Sequence, residues 1–164
     1  MKMKTEPMLQ ISLPSDREIT MTRHFDAPRA LVFDAWTKPE ILRQWNRPRD
    51  YAFIECNVNL RDGGAYRFAW RGRNGAEIGM RGVYREIVRP VRLVITEVFD
   101  TPWYPGEAVV ATSFVECGSG TVMTRTTLYE SCQARDIVMR SPMKEGAADS
   151  YDRLADRLGS LSMA

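Results

Sequence analysis

A single histidine, His24, serves the whole chain of 164 residues. Catalytic triads and most metal centres need an imidazole held by defined partners. His24 alternates with apolar neighbours and reads as a surface or edge side chain. Cysteine is scarce too. Cys56, Cys117 and Cys132 lie far apart, odd in number and without CxxC spacing, which argues against a disulfide framework or a zinc site. They fit small buried hydrophobes or a free thiol in a reducing compartment. No stretch approaches the ~18 apolar residues of a membrane span, and residues 1–14 hold no apolar run of signal-peptide length. The expected location is the cytoplasm. The sequence has no GxSxG elbow, phosphate loop or HExxH pair. Gly63, Gly64 and Gly72 read as turn or bulge glycines. Excess charge is small, +2 with a pI near 8.5. A nucleic-acid-binding face calls for a clustered basic surface and a pI above about 9. No metal or cofactor is expected.

What is present is an ordinary globular balance, 44% hydrophobic and 27% charged. The length fits one domain, which buries roughly 68–70% of its unfolded surface. Residues 1–15 mix Lys, Glu, Pro and Ser without periodicity and are expected to form a flexible arm. Residues 16–160 are expected to form the single domain. Ile19, Met21, Arg23 and Phe25 fall on one face of a period-two segment, with Thr20, Thr22 and His24 on the other. Asp26-Ala27-Pro28 then signals a helix start, with Asp26 as cap candidate. Thr37-Lys38-Pro39-Glu40 signals a second one, with Thr37 and Glu40 placed as a capping box. Strands are predicted at 52–60, 77–88, 92–99, 108–116 and 121–130, and another carries Tyr66, Phe68 and Trp70 on one face. The turns include Asp62-Gly63-Gly64 and Arg73-Asn74-Gly75. Such spacing suits an antiparallel meander.

The last segment is helical, with Ser131 as its first cap. Pro142 either kinks one helix or opens a second. Met143, Ala147, Tyr151, Leu154 and Leu158 form an amphipathic stripe, with Lys144, Asp149, Asp152, Arg153 and Asp156 outside it. The expected fold is α+β, a curved antiparallel sheet of about seven strands wrapped around a long C-terminal helix, with two short helices after the first strand.

Several blocks then match a known family in order: Arg23-His24-Phe25-Asp26-Ala27-Pro28, Val32-Phe33 with Ala35-Trp36-Thr37, and Pro39-Glu40 with Leu42 and Trp45. Further on come Asp62-Gly63-Gly64-Ala65-Tyr66, Gly82-Val83-Tyr84-Arg85-Glu86-Ile87, Arg92-Leu93-Val94 with Thr96-Glu97, and Tyr151-Asp152-Arg153-Leu154. Over residues 17–159 the chain resembles the SRPBCC (START-like) superfamily. Within it, the chain is similar to the C-terminal domain of the activator of the ninety-kilodalton heat-shock-protein ATPase. The resemblance implies a helix-grip fold with a central cavity, without implying one reaction. Two departures stand out. Trp45-Asn46-Arg47-Pro48 replaces a common Trp-Trp-Gly-Pro, and Ser141-Pro142-Met143-Lys144 replaces Ser-Gly-Met-Glu.

Apolar pockets of roughly 300–1,000 Å³ are typical ligand sites, and a bent sheet under one helix is hard to fill. The expected lining is Phe68, Trp70, Met80, Tyr84 and Glu97 from the sheet, with Met139, Met143 and Tyr151 from the helical end. Glu97 and Arg125 each interrupt a strand. Facing inward they would pair or position a polar ligand, because an unpaired buried charge is too costly; the commoner arrangement, which the sequence favours, faces both to solvent. Three functions follow. The leading one is a binding module for a small apolar or aromatic molecule. The second is an enzyme of the aromatic cyclase or hydrolase kind, with Glu97 and Tyr84 as first suspects. The third is a co-chaperone-like interaction domain. Sheet-edge pairing leaves a homodimer open.

Overall fold

The computed structural model describes residues 9–162. The element order is β1 (Gln10–Ser12), β2 (Glu18–Phe25), α1 (Arg29–Thr37), α2 (Pro39–Trp45), β3 (Tyr51–Val58), β4 (Ala65–Gly72), β5 (Glu77–Val88), β6 (Arg92–Phe99), β7 (Ala108–Cys117), β8 (Gly120–Leu128), α3 (Cys132–Arg140) and α4 (Met143–Ser162). The eight strands form one antiparallel sheet in the order β1-β2-β8-β7-β6-β5-β4-β3. The α+β, helix-grip architecture expected from the sequence is therefore present. The strand beyond the expected seven is β1. Gln10–Ser12 pair with Thr20, Met21 and Thr22 on β2, although the sequence assigned residues 1–15 to an arm. The rest of that arm, residues 1–8, lies outside the described residues.

Alternation in β2 is complete. Ile19, Met21, Arg23 and Phe25 are buried, and the residues between them are half-buried. Irregular register between Phe53 and Glu55, and again between Tyr84 and Glu86, bends the sheet as bulges do. Its inner face meets α1 through Val32, Phe33, Ala35 and Trp36. It meets α4 through Tyr151, Leu154 and Leu158. Full burial of a Val, Phe or Leu among them contributes about 1.5–3 kcal/mol. Close backbone approaches of α4 concentrate on α1, α2 and α3 and not on any strand.

Two expected caps are corrected. Pro28 is the N-cap of α1 and no side chain bonds there, so Asp26 does not cap it. Thr37 does not cap α2; its Oγ1 folds back and donates to the Phe33 carbonyl at 3.0 Å, while Lys38 takes the cap position. The cause lies in Pro39. It follows α1 too closely for a free entry turn, and it has no N–H for the Ala35 carbonyl four residues back. Trp45 supplies the missing donor: its indole Nε1 donates to that carbonyl at 3.0 Å. Ser131 does cap α3, accepting from the Ala134 amide at 3.0 Å. At Pro142 the chain takes the two-helix option. Ser141 ends α3, its Oγ accepts from the Met143 amide, and the Pro142 carbonyl accepts from Gly146 as α4 begins.

Candidate functional site

Strand β8 carries Thr121, Met123, Arg125 and Thr127 on its inner face, and β6 carries Leu93, Ile95 and Glu97. Parity therefore turns both charged residues inward. The Arg125 Nη2 lies 3.8 Å from the Glu97 Oε2, with the side chains 19% and 16% exposed. This overturns the solvent-facing expectation. Their positions match Leu93, Ile95 and Met123, and that shared parity was the signal available in the sequence.

Three further elements close on the pair. Tyr104, in the loop after β6, donates its hydroxyl to the Glu97 Oε1 at 3.2 Å. Trp36 of α1 lies under the Arg125 guanidinium, 4.8 Å from the guanidinium carbon to the ring centroid, within cation–π range. From α4, Tyr151 packs against Trp36 at 5.9 Å and Trp45 at 6.3 Å between centroids. Burial pushes the Glu97 carboxyl above its ordinary value; Arg125 and the Tyr104 hydrogen bond oppose the shift without cancelling it. Burial works against the Arg125 charge, but Tyr151 and Glu97 outweigh it and the guanidinium stays charged. The Tyr66 and Tyr104 hydroxyls are pushed upward by burial first and the Glu97 charge second, so they stay protonated as donors.

The expected lining divides. Phe68, Trp70, Met80, Tyr84 and Tyr151 are all nine-tenths or more buried in the core cluster. Tyr66, absent from that expectation, joins them. Its ring lies 5.0 Å from Phe68 and 5.5 Å from Tyr84, and its hydroxyl donates to the Thr96 carbonyl at 2.5 Å. Met139 and Met143 lie elsewhere. With Ile11, Leu13 and Lys144 they line a surface groove of about 360 Å³ between β1 and the α3–α4 junction. Met139 directly follows Val138, which is buried, so the helical turn carries it away from the core and leaves it 38% exposed. A second hollow, of about 260 Å³, lies outside Tyr104 between Phe99, Pro102 and Glu107.

Asp152, which the sequence left outside the apolar stripe of α4, also matters. Arg23 is 3% exposed, and its Nη1 donates to the Asp152 Oδ1 of α4 at 2.7 Å. His24 stands on the outer face, 41% exposed, with its Nδ1 3.7 Å from the Asp26 Oδ1. Among the described residues no three His, Cys, Asp or Glu side chains group as metal ligands would. Among them, too, no helix is long and apolar enough to cross a membrane.

Residues 26–159 match the family described as Activator of Hsp90 ATPase homolog 1-like protein. The chain belongs to this family. Its AHSA1-like fold recurs in a solved protein from Rhodobacter sphaeroides, 28% identical, covering 93% of this chain and 98% of that one, with a TM-score of 0.89. A Mycobacterium smegmatis protein, 19% identical, covers 92% and 97% with a TM-score of 0.81. An AHSA1-like protein from Aeromonas hydrophila, 20% identical, covers 86% and 94% with a TM-score of 0.69. No curated protein matches the chain.

Proposed function

We propose that this AHSA1-like domain binds a small apolar or aromatic molecule between the inner face of the sheet and α4, with Glu97 and Arg125 meeting its polar end. The observation that carries the reading is the charged guanidinium of Arg125, which stands among Trp36, Tyr151 and Tyr66 with its buried Nε lacking any acceptor. Leaving a buried donor unmade costs about 1–3 kcal/mol, more when it is charged. Such groups need an explanation, and a binding site supplies one. The aromatic wall of Tyr66, Phe68, Trp70 and Tyr84 supports the same reading.

Chemical-shift mapping with a small panel of aromatic and aliphatic probes tests it. Perturbations on β4, β5, β8 and the Tyr151 turn of α4 are expected. Probes that perturb only the Met139–Met143 groove, or nothing, reject it.

One observation favours a catalytic second reading. Glu97 is a carboxyl that burial holds toward its protonated form, as general acids are tuned. Its partner is the Tyr104 hydroxyl, and Tyr84 lies on the aromatic wall with Tyr66. Turnover of an ester or polyketide-like substrate that is lost in Glu97→Gln would support this reading; turnover that survives the substitution would reject it.

A further inference from the structure

Two neighbouring buried N–H donors have no acceptor, the Nε of Arg125 and the indole Nε1 of Trp36, as is also true of the Nε of Arg29 and Arg157 elsewhere, while Tyr151 hydrogen-bonds the Arg125 guanidinium. Trp36 is 7% exposed, and the guanidinium stacks on its ring at 4.8 Å. They come from different elements, β8 and α1, with Tyr151 of α4 packed against the indole. Arg23 also has an unpartnered Nε, but its charge is met directly by Asp152 at 2.7 Å. The carboxylate nearest Arg125 stands at 3.8 Å, beyond hydrogen-bond length. Arg125 thus combines a full positive charge, an unmet N–H and a neighbouring unmet N–H.

On the binding reading above, on which this rests, we propose that the bound molecule is a carboxylic acid whose carboxylate accepts from the Arg125 Nε–H and the Trp36 Nε1–H. Its apolar body then lies along the Tyr66, Phe68 and Tyr84 wall. A guanidinium favours carboxylate over a neutral oxygen because the hydrogen bonds become charge-assisted. The groups facing Glu97 are Arg125 from β8, Tyr104 from the loop, Tyr66 from β4 and Tyr129 just beyond β8. Burial favours its neutral form, so it repels an incoming anion less than an exposed carboxylate would.

Matched probes separate this inference from the reading beneath it: 4-phenylbutanoate against 4-phenylbutan-1-ol, and decanoate against decan-1-ol. Each is titrated into the ¹⁵N-labelled chain at neutral pH, with the Trp36 indole resonance assigned through Trp36→Phe. The acids are expected to bind about tenfold tighter or more, to move the Trp36 indole N–H downfield, and to lose their advantage in Arg125→Gln. Alcohols that bind the interior as well as the acids overturn the carboxylate inference and leave apolar binding standing. An acid preference without movement of the Trp36 indole also overturns it. Failure of all four probes to reach the interior overturns both. Should Arg125→Gln not fold, the acid–alcohol comparison in the unaltered chain decides, together with a reduced preference in Trp36→Phe.

Discussion

Glu97 and Arg125 face each other at 3.8 Å on the inner surface of the sheet, a carboxyl and a guanidinium carried by strands that β7 separates. Burial raises the Glu97 pKa above its ordinary 4.5. A group with a higher pKa folded than unfolded binds more protons in the native state, so its contribution is complete below the ordinary carboxylate range. It is lost as pH rises through the folded pKa. Glu97→Gln should therefore flatten the fall in stability on that alkaline side. The acid limb should persist, because Asp100, held low by its bonds to Arg67, and Asp149, held low by Arg153, lose their contribution as pH falls. Urea midpoints of both proteins from acid to neutral pH measure this; unchanged pH dependence in the variant would contradict it.

Arg153 ties α4 to the end of α2. Its Nε donates to the Trp45 carbonyl at 3.3 Å, its Nη2 to the Arg47 carbonyl and Ser150 Oγ, and its Nη1 to Asp149. Terminal helix carbonyls lack intrahelical partners and favour a cation. Arg153→Leu keeps an apolar stem and removes these bonds. Stability should drop by about 1.5–3 kcal/mol, with faster amide exchange in α4 than in β7 and β8.

Gly82 is required by space, not by backbone angle. A Cβ there would lie 1.9 Å from the Thr96 carbonyl oxygen and 2.6 Å from the Tyr66 ring. The same ring sends its hydroxyl to that carbonyl. Gly82→Ala should cost about 1–3 kcal/mol through overpacking. Adding Tyr66→Phe should recover little, because the clash with Thr96 backbone remains. Thermal unfolding of the single and double variants decides.

The three thiols should separate by reactivity. Cys117 and Cys132 are exposed, whereas Cys56 is buried and burial pushes its thiol upward. The thiolate is the reactive form. A colourimetric disulfide reagent should titrate two thiols quickly and the third only in denaturant. Three fast thiols would show that β3 opens readily.

Much of this was legible because periodicity reports which face a residue occupies. Arg23 was placed on the buried face of β2 by alternation alone. Asp152, off the apolar stripe of α4, gave no sign that it would reach Arg23, since partnership 129 residues apart depends on where the helix lands. Thr37 had the spacing of a capping box and used its hydroxyl on Phe33 instead, because Ser, Thr and Asp side chains choose among nearby backbone groups. Gln10–Ser12 are too few to show a period, and only pairing with β2 makes them a strand. Met139 and Met143 were grouped with the aromatic wall, but Met139 follows the buried Val138 on α3 and Met143 opens α4 after the break at Ser141-Pro142, and both line the surface groove instead.

The order of residues by itself determined the strands, the helix stripe and the family, since these follow from local alternation, turn chemistry and short sequence blocks. Only the tertiary structure decided that Arg125, Glu97, Trp36, Tyr104 and Tyr151 meet. They come from five separate elements, and a buried charge finds its neighbours through the bend of a sheet and the landing of a helix, which no local pattern encodes.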